Sequence, residues 1–219
     1  MIIIGLADIH GQTGNINKIS GVLSKADIIF LAGDITHFGD EKQAKEVVDR
    51  ITPLNNRIMA VPGNCDYAGV SNYLSGKDIN VHNNKKKLNG YSIYGLGGSL
   101  PCPGKTPGEY TEEEYELFTS SLIREDEPES HKILISHQPP SNTVSDRIAT
   151  GIHVGSQAIR KFIEWLQPLI VFTGHIHEGV GIDEIGRTKI INPGPFREGR
   201  YAYTQILDGQ IMDLEIREF

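Results

Sequence analysis

Short apolar runs that end in polar side chains alternate with helical stretches along the first part of the chain. Three of these runs predict buried strands, at 2–7, 27–33 and 57–61. Between them, apolar residues at helical spacing predict helices over 15–25 and 40–51. Strands and helices that alternate in this way form parallel sheets through right-handed crossovers. The pattern therefore predicts an α/β fold built around parallel strands.

The second part of the chain combines this pattern with hairpins. Residues 86–98 predict a hairpin that turns at an Asn-Gly pair. The other predicted elements are helices over 111–124 and 156–166, strands over 131–137 and 168–177, and short strands over 178–219, with an Asp-Gly hairpin turn among them. Two long loops, 99–110 and 138–154, are candidates for the walls of a site, because long unstructured loops are usually functional or disordered. Since no repeat or linker divides the sequence, we expect a single domain over 1–219.

The composition is that of a globular protein with an acidic surface. Of the 219 residues, 38% are hydrophobic, and the formal net charge is −7. Nucleic acids and anionic membranes bind clustered Lys and Arg, so this charge disfavours both as partners. Two cysteines, Cys65 and Cys102, do not make a disulfide framework. The apolar N-terminal run is too short for a signal peptide and lacks a basic start, and no run reaches the ~20 residues that span a bilayer. We therefore expect a cytoplasmic protein.

Side chains that can bind metal follow five of the predicted strands. They are Asp8 and His10, Asp34, Asn64, His137, and His175 with His177. Ligands of open α/β sheets gather at the carboxyl ends of the strands, so these residues can converge. Imidazole and carboxylate together suit Mn, Fe, Zn, Co or Ni, whereas all-oxygen sites suit Mg and Ca. The set exceeds what one ion needs and can serve two ions if one carboxylate bridges them.

Each part of this pattern also has a simpler explanation. Asp8 and Asp34 could cap helices or form turns. Asn64 follows a Pro-Gly pair that is common in turns, and His137 could be a lone buried histidine. The alternating histidines after the strand over 168–177 are harder to explain without a bound group. All five parts together, each after a buried strand, favour a metal site.

The order of these motifs resembles the calcineurin-like metallophosphoesterase superfamily. The matching segments are Asp8-x-His10, Gly33-Asp34, Gly63-Asn64-x-Asp66, His137 and Gly174-His175-x-His177, with an Asn-Pro-Gly-Pro turn at 192–195. The resemblance implies a four-layer α-β-β-α sandwich with a dinuclear metal centre at one rim. It assigns the first cation to Asp8, His10, Asp34 and His177, and the second cation to Asp34, Asn64, His137 and His175. Asp34 would bridge the two.

The resemblance also implies hydrolysis of a phosphate ester by a hydroxide that bridges the two cations. We expect a phosphodiesterase acting on a small or nucleotide-like substrate. The alternatives are a phosphomonoesterase or nucleotide pyrophosphatase and, from another class, a non-catalytic metal-binding scaffold on the same fold. Two divalent ions are the implied cofactors, with Mn favoured over Fe, Ni, Zn, Co and Mg. The sequence leaves homo-oligomerisation open.

One position departs from the superfamily pattern. Cys65 stands where most members have a histidine, which is thought to give a proton to the leaving oxygen with support from the acid that follows, here Asp66. A thiol is a weak hydrogen-bond donor, and general acid help is typically worth ~10²–10⁴-fold. The substrate could need no proton, the site could bind without turnover, or His37 or His153 could replace the missing donor. Ligation of a metal by Cys65, which would favour Zn, is a further alternative.

Few basic groups lie in the predicted wall loops. Lys105, Arg147 and Arg197 are the candidates for steering a phosphate, and each could equally be a solvated surface charge. The helix that starts near 155–156 offers free backbone N–H groups and could also hold an anion.

Overall fold

A computed structural model describes residues 1–124 and 131–219 and shows two β-sheets. The first sheet contains β1 (Ile2–Leu6), β2 (Ile28–Ala32), β3 (Ile58–Val61), β10 (Arg200–Leu207) and β11 (Gln210–Glu218), in the order β11-β10-β1-β2-β3. The second sheet contains β4 (Asn84–Leu88), β5 (Tyr91–Leu96), β6 (His131–Ser136), β7 (Ile170–Thr173), β8 (Gly181–Ile185) and β9 (Thr188–Asn192), in the order β4-β5-β6-β7-β9-β8. The neighbours β1, β2 and β3 run parallel, as do β5, β6, β7 and β9.

The helices cover the outer faces of the two sheets. They are α1 (Ser20–Leu23), α2 (Glu41–Ile51), α3 (Ala68–Gly76), α4 (Glu112–Arg124) and α5 (Gln157–Leu166). Alternate side chains of each strand face opposite layers. In β1, Ile3 lies in the core between the sheets, whereas Ile4 packs with α1, α2 and α3. In β6, Ile133 lies between the sheets, whereas Leu134 packs with α4 and α5. The four-layer α-β-β-α sandwich is therefore confirmed.

The local sequence explains which predicted helices the structure confirms and which differ from the prediction. Asp40 and Gln43 form a capping box that starts α2 at the predicted place. The helix predicted over 15–25 is instead a 3₁₀ helix over Thr13–Ile19 followed by α1. This stretch is rich in Gly and Asn, which are poor helix formers. For the same reason α3 escaped prediction, although it buries Val70, Tyr73 and Leu74.

Turns with positive φ angles set the ends of several strands. The hairpin turns at Asn89-Gly90 and Asp208-Gly209 have positive φ at both residues, as two-residue hairpin loops require. The strand predicted over 168–177 pairs over Ile170–Thr173 because the chain turns sharply at His175, where φ is +67°. None of the helices in the described part of the chain is long and apolar enough to cross a bilayer.

Candidate metal centre

The candidate ligands all follow the carboxyl ends of β1, β2, β3, β6 and β7. Four of them have left-handed backbone, with φ of +52° at Asp8, +49° at His10, +47° at Asp34 and +67° at His175. Such backbone costs a non-glycine residue ~1–3 kcal/mol and collects at functional sites. Backbone hydrogen bonds hold the turns in place, from Asp8 N–H to Gly33 C=O (3.2 Å) and from His10 N–H to Asp34 C=O (2.8 Å). Four of the residues predicted to bind metal thus share this strained backbone, which also occurs at turn residues elsewhere, such as Asn89 and Asp208.

One group of ligand atoms comes from Asp8, His10 and His177. The atoms that these three residues offer lie within 4.8 Å of one another, and His177 Nε2 is 3.6 Å from Asp8 Oδ1. His10 is almost fully buried, yet neither of its ring nitrogens has a hydrogen-bond partner among the described residues. Buried polar atoms are rarely left unpaired, so the unpartnered imidazole points to a bound group.

A second group comes from Asp34, Asn64 and His137. His137 Nδ1 donates to the Ala32 carbonyl over 2.8 Å, which leaves the unshared pair of the neutral ring on Nε2. That Nε2 atom is 3.0 Å from Asn64 Oδ1 and 3.4 Å from Asp34 Oδ1. Acceptor atoms that face one another repel unless a cation or a proton lies between them. The donor set fits a divalent cation, with a carbonyl behind the histidine as is usual for metal-binding imidazoles.

Two histidines of the centre, His10 and His175, are held in the neutral form that metal binding requires. Burial lowers the pKa of His10 to about 4 and that of His175 to about 3. The ring of His175 lies 5.3 Å from that of His137, between centroids, and its backbone N–H is 3.2 Å from both carboxylate oxygens of Asp8. Both imidazoles are therefore deprotonated at neutral pH and able to accept a metal ion.

The two carboxylates of the centre respond differently to burial. Burial raises the pKa of Asp34, and the negative charge of Asp8 adds to this effect against the lowering influence of His137. Burial also disfavours ionisation of Asp8, but the close approach of His177 and the charges of nearby histidines outweigh this and lower its pKa. The protein thus supplies too little positive charge nearby to offset the negative charge of ionised Asp34. A bound cation would supply it.

Two glycines allow the ligand loops to approach closely. A Cβ atom on Gly63 would lie 2.1 Å from both the backbone nitrogen and Oδ1 of Asp34. A Cβ atom on Gly33 would lie 2.3 Å from His137 Nδ1, and Gly33 has φ of +86°. These contacts explain why glycine precedes both Asp34 and Asn64.

Asp66 joins the loops that follow β2 and β3. Its carboxylate accepts hydrogen bonds from Gly63 N–H (2.7 Å), Ile35 N–H (3.1 Å), Thr36 N–H (2.8 Å) and Thr36 Oγ1 (2.7 Å). Burial and the charge of Asp34 raise its pKa to about 6. Since backbone and hydroxyl donors occupy both oxygens, Asp66 positions the Asp34 and Asn64 loops relative to each other.

A hydrogen-bond chain that the motifs did not reveal orients Asn64. Asn64 Nδ2 donates to Thr106 Oγ1 over 3.0 Å, and Thr106 Oγ1 donates to Glu109 Oε1 over 2.9 Å. With its amide nitrogen held by Thr106, Asn64 turns Oδ1 towards His137. Thr106 and Glu109 lie in the predicted wall loop, which is the one sequence signal that pointed to them.

The structure separates the candidates for proton transfer. Cys65 is 8% exposed, and burial together with the charges of Asp34 and Asp66 raises the pKa of its thiol far above the ordinary value. Its sulfur lies within 4.8 Å of ligand atoms of His10 and Asp34. His37 is exposed, with its ring 5.4 Å from the ring of His10, between centroids.

The other predicted donor, His153, is held by a carboxylate. Its Nδ1 is 2.7 Å from Oδ1 of the fully buried Asp146, and its side chain is 40% exposed. If the buried carboxylate accepts from Nδ1, Nε2 is the ring nitrogen left to exchange a proton.

The predicted phosphate-steering groups differ in position. The pKa of His10 is lowered mainly by burial, and that of His177 is raised mainly by its close approach to the Asp8 carboxylate. The positive charge of Arg197 opposes protonation of both rings, which places its guanidinium near the first group of ligand atoms. Lys105 and Arg147 are exposed on their loops.

The expectation that the N-terminus of α5 holds an external anion is wrong. The carboxylate of Glu112 already accepts from Gln157 N–H (2.8 Å), Ala158 N–H (3.1 Å) and Ser156 Oγ (2.8 Å). The helix end therefore carries an anion supplied by the first turn of α4.

Comparison with known proteins decides the family. A family model described as calcineurin-like phosphoesterase matches residues 1–179. The chain belongs to the calcineurin-like phosphoesterase family. It is 38% identical over 201 residues to the uncharacterized protein MJ1162 of Methanocaldococcus jannaschii, covering 89% of this chain and 88% of that relative. Membership of this family supports a phosphoester hydrolase and implies divalent metal ions, and the unpartnered ring nitrogens of His10 fit such a cation.

Solved structures share the fold at low identity. The structure of TT1561 from Thermus thermophilus is 21% identical, with a TM-score of 0.76 over 99% of this chain and 98% of that one. The purple acid phosphatase PPD1 from yellow lupin (Lupinus luteus) is 14% identical, with a TM-score of 0.64 over 100% of this chain and 51% of the phosphatase. At such identities the likeness concerns the fold alone.

Proposed function

We propose that this calcineurin-like phosphoesterase is a phosphodiesterase with a dinuclear metal centre that acts on a small or nucleotide-like substrate. Asp8, His10, Asp34 and His177 would hold one cation, and Asp34, Asn64, His137 and His175 the other. The observation that carries the proposal is the convergence of imidazole, carboxylate and amide ligand atoms from five strand ends, with both ring nitrogens of the buried His10 left without a hydrogen-bond partner among the described residues. Mn²⁺ is the cation we favour, because the set combines imidazole with carboxylate.

The residues of the chain would prepare the site for this chemistry. When bound, the cations would supply an activated water as nucleophile and neutralise charge on the phosphoryl oxygens. Asp34 lies between the two groups of ligands, since it approaches both His10 (3.7 Å) and His137 (3.4 Å). Arg197 adds a positive charge that can attract the phosphate.

Two features support a diester over a monoester. The buried Cys65 thiol stays neutral and donates weakly, which suits a leaving group that needs little help from an acid. The centre is also flanked by two depressions, a cavity of about 490 Å³ that includes His175 and another of about 660 Å³ that includes His10 and His37. An ester group could occupy each side of the phosphorus.

For substrates with more basic leaving groups, we propose His37 as the proton donor. Its ring lies against that of the candidate ligand His10, and it lines the cavity on that side. His153, oriented by Asp146, is the alternative. A His37→Gln variant should lower kcat on alkyl esters by ~10²–10⁴-fold and change hydrolysis of nitrophenyl esters little, and the same selective loss in His153→Gln instead would assign the role to His153.

The proposed function is tested by metal binding together with hydrolysis. Calorimetric titration with Mn²⁺ should show two bound ions per chain, and the loaded protein should hydrolyse bis-p-nitrophenyl phosphate faster than p-nitrophenyl phosphate. Asp34→Asn should weaken Mn²⁺ binding and abolish hydrolysis. Asp208→Asn, at a hairpin turn at the opposite end of the sheet from Asp8, is the matched control that should change neither.

The result that contradicts each part of the proposal is distinct. A protein that binds no divalent ion and cleaves neither ester would be a scaffold module rather than an enzyme. Faster hydrolysis of the monoester would replace the phosphodiesterase assignment by that of a phosphomonoesterase, and release of pyrophosphate from nucleoside triphosphates would indicate a nucleotide pyrophosphatase.

A further inference from the structure

An apolar cavity adjoins the candidate metal centre on the side of His175. It encloses about 490 Å³ and is lined mainly by apolar side chains from three segments of the chain. Leu100 and Pro101 come from the loop after β5, Ile148 and Val154 from the loop after β6, and Ile176 from the segment between the candidate ligands His175 and His177. Ligand pockets usually enclose ~300–1,000 Å³ and are mostly apolar, so this cavity has the size and chemistry of a binding site.

A buried side chain in the lining of the cavity hydrogen-bonds to two of its segments. Gln138 is fully buried, and its Oε1 accepts the N–H of Leu100 over 2.9 Å. Its Nε2 donates to the carbonyl of Val154 over 3.1 Å. One amide thereby links two segments of the cavity lining, so the cavity is formed before any ligand enters, which reduces the entropic cost of binding.

The charge of the cavity limits what it can hold. Among the described residues that line it there is no Lys or Arg, and Glu178 adds a carboxylate. A second phosphate in this cavity would meet a negative charge and no compensating cation. The depression on the opposite side, beside His10, is more polar and contains Glu46, Asp49 and Arg50.

We propose that this cavity binds an uncharged apolar ester group of the substrate, aromatic or aliphatic, while the phosphate lies at the metal centre. The inference rests on the proposed phosphodiesterase function and adds its specificity. The preferred substrates are phosphodiesters whose non-leaving arm, the one that stays on the phosphorus, is uncharged and apolar. Nucleoside polyphosphates and nucleic acids, which carry further phosphates, are poor substrates.

The experiment compares two esters that differ in this arm alone. With Mn²⁺ present, kcat/KM for phenyl p-nitrophenyl phosphate should exceed that for methyl p-nitrophenyl phosphate by at least about tenfold, since each buried methylene-sized group is worth roughly fourfold. Val154→Asp, which puts a charge in the wall, should reduce this ratio to near one. Ile152→Asp is the matched control because Ile152 lies on the same loop, is 60% exposed and is outside the cavity lining. It should keep the ratio of the unmodified protein.

Failure of this inference and failure of the proposed function give different results. Equal kcat/KM for the two esters in an active enzyme, or an unchanged ratio in Val154→Asp, would overturn the apolar pocket and leave the phosphodiesterase in place. Absence of turnover with both esters would overturn the proposed function. In that case calorimetry tests the apolar pocket without turnover. Phenylphosphonate should bind at least about tenfold more tightly than methylphosphonate, and equal affinities would refute the proposal that the cavity binds an apolar group.

Discussion

Replacing Thr106 by valine should weaken metal binding without removing a ligand. The hydroxyl of Thr106 accepts the Asn64 Nδ2–H bond over 3.0 Å and donates to Glu109 over 2.9 Å. Valine keeps the shape of the side chain and loses both interactions. The Asn64 amide would then have little to distinguish its oxygen from its nitrogen, and Nδ2 could turn towards the position that Oδ1 should occupy.

The size of the effect follows from the hydrogen bonds that are lost. Asn64 is 4% exposed, so its amide has little water to replace Thr106. A buried donor left without a partner costs ~1–3 kcal/mol. Because ~1.4 kcal/mol corresponds to tenfold in an equilibrium constant, we expect Mn²⁺ affinity to fall about tenfold. This lies within the ~10–100-fold range typical of residues that orient metal ligands.

Calorimetric titration with Mn²⁺ measures this change directly, and the number of bound ions shows which site is affected. One ion should keep its affinity, since Asp8, His10 and His177 do not contact Thr106, while the other should bind more weakly. Thr106→Ser retains the hydroxyl and should restore wild-type affinity. If valine and serine variants bind both ions as the unmodified protein does, Thr106 does not orient Asn64. An equal loss at both sites would indicate general distortion of the loop.

Three further predictions test the site and its surroundings. Gly63→Ala should abolish Mn²⁺ binding in calorimetry because its Cβ would lie 2.1 Å from Asp34 Oδ1, whereas Gly14→Ala, with no atom within 4 Å, should not. Cys65→Ala should change hydrolysis of nitrophenyl diesters little, and Cys65→His should raise hydrolysis of alkyl esters; a large loss in the alanine variant would instead indicate thiol ligation. Burial lowers the pKa of His82 to about 4, so the folded state binds fewer protons than the unfolded state between about pH 4 and 6.5. The stabilisation is complete above about pH 6.5 and is lost on acidification, so the stability loss measured by urea unfolding across this range should be smaller in His82→Asn by up to ~3 kcal/mol, while His10 and His175 keep their own contributions.

The metal-binding candidates could be predicted because their chemistry and position are local in sequence. A short buried strand fixes where a parallel strand ends, and Asp34 or His137 directly after such a strand must lie at the same rim as the others. Thr106 carried no such signal. It lies in a loop rich in Pro and Gly, and its approach to Asn64 depends on tertiary contacts such as the Gly108 N–H bond to the Asn64 carbonyl, at 2.9 Å.

At the N-terminus of α5 the sequence correctly predicted an anion-binding helix end. The prediction was wrong about the anion, which is the carboxylate of Glu112 and not an external ligand. Free N–H groups do attract an anion there, as the bonds to Glu112 demonstrate. The anion comes from a residue 45 positions earlier than Gln157, and helical periodicity cannot report which faces of α4 and α5 meet. Packing of the outer helical layer decides whether such a site remains open for a ligand.

The position of Cys65 is best understood through the charge balance of the centre. Asp8, Asp34 and Asp66 are all buried around it, and burial raises the pKa of Asp34 and Asp66. An imidazole at position 65 could become protonated beside these carboxylates and supply part of the missing positive charge. A neutral thiol cannot, because burial and the same carboxylates oppose its ionisation. Position 65 then contributes no positive charge, so bound cations must supply more of the charge balance of the centre, and this ties the stability of the ligand loops to metal binding.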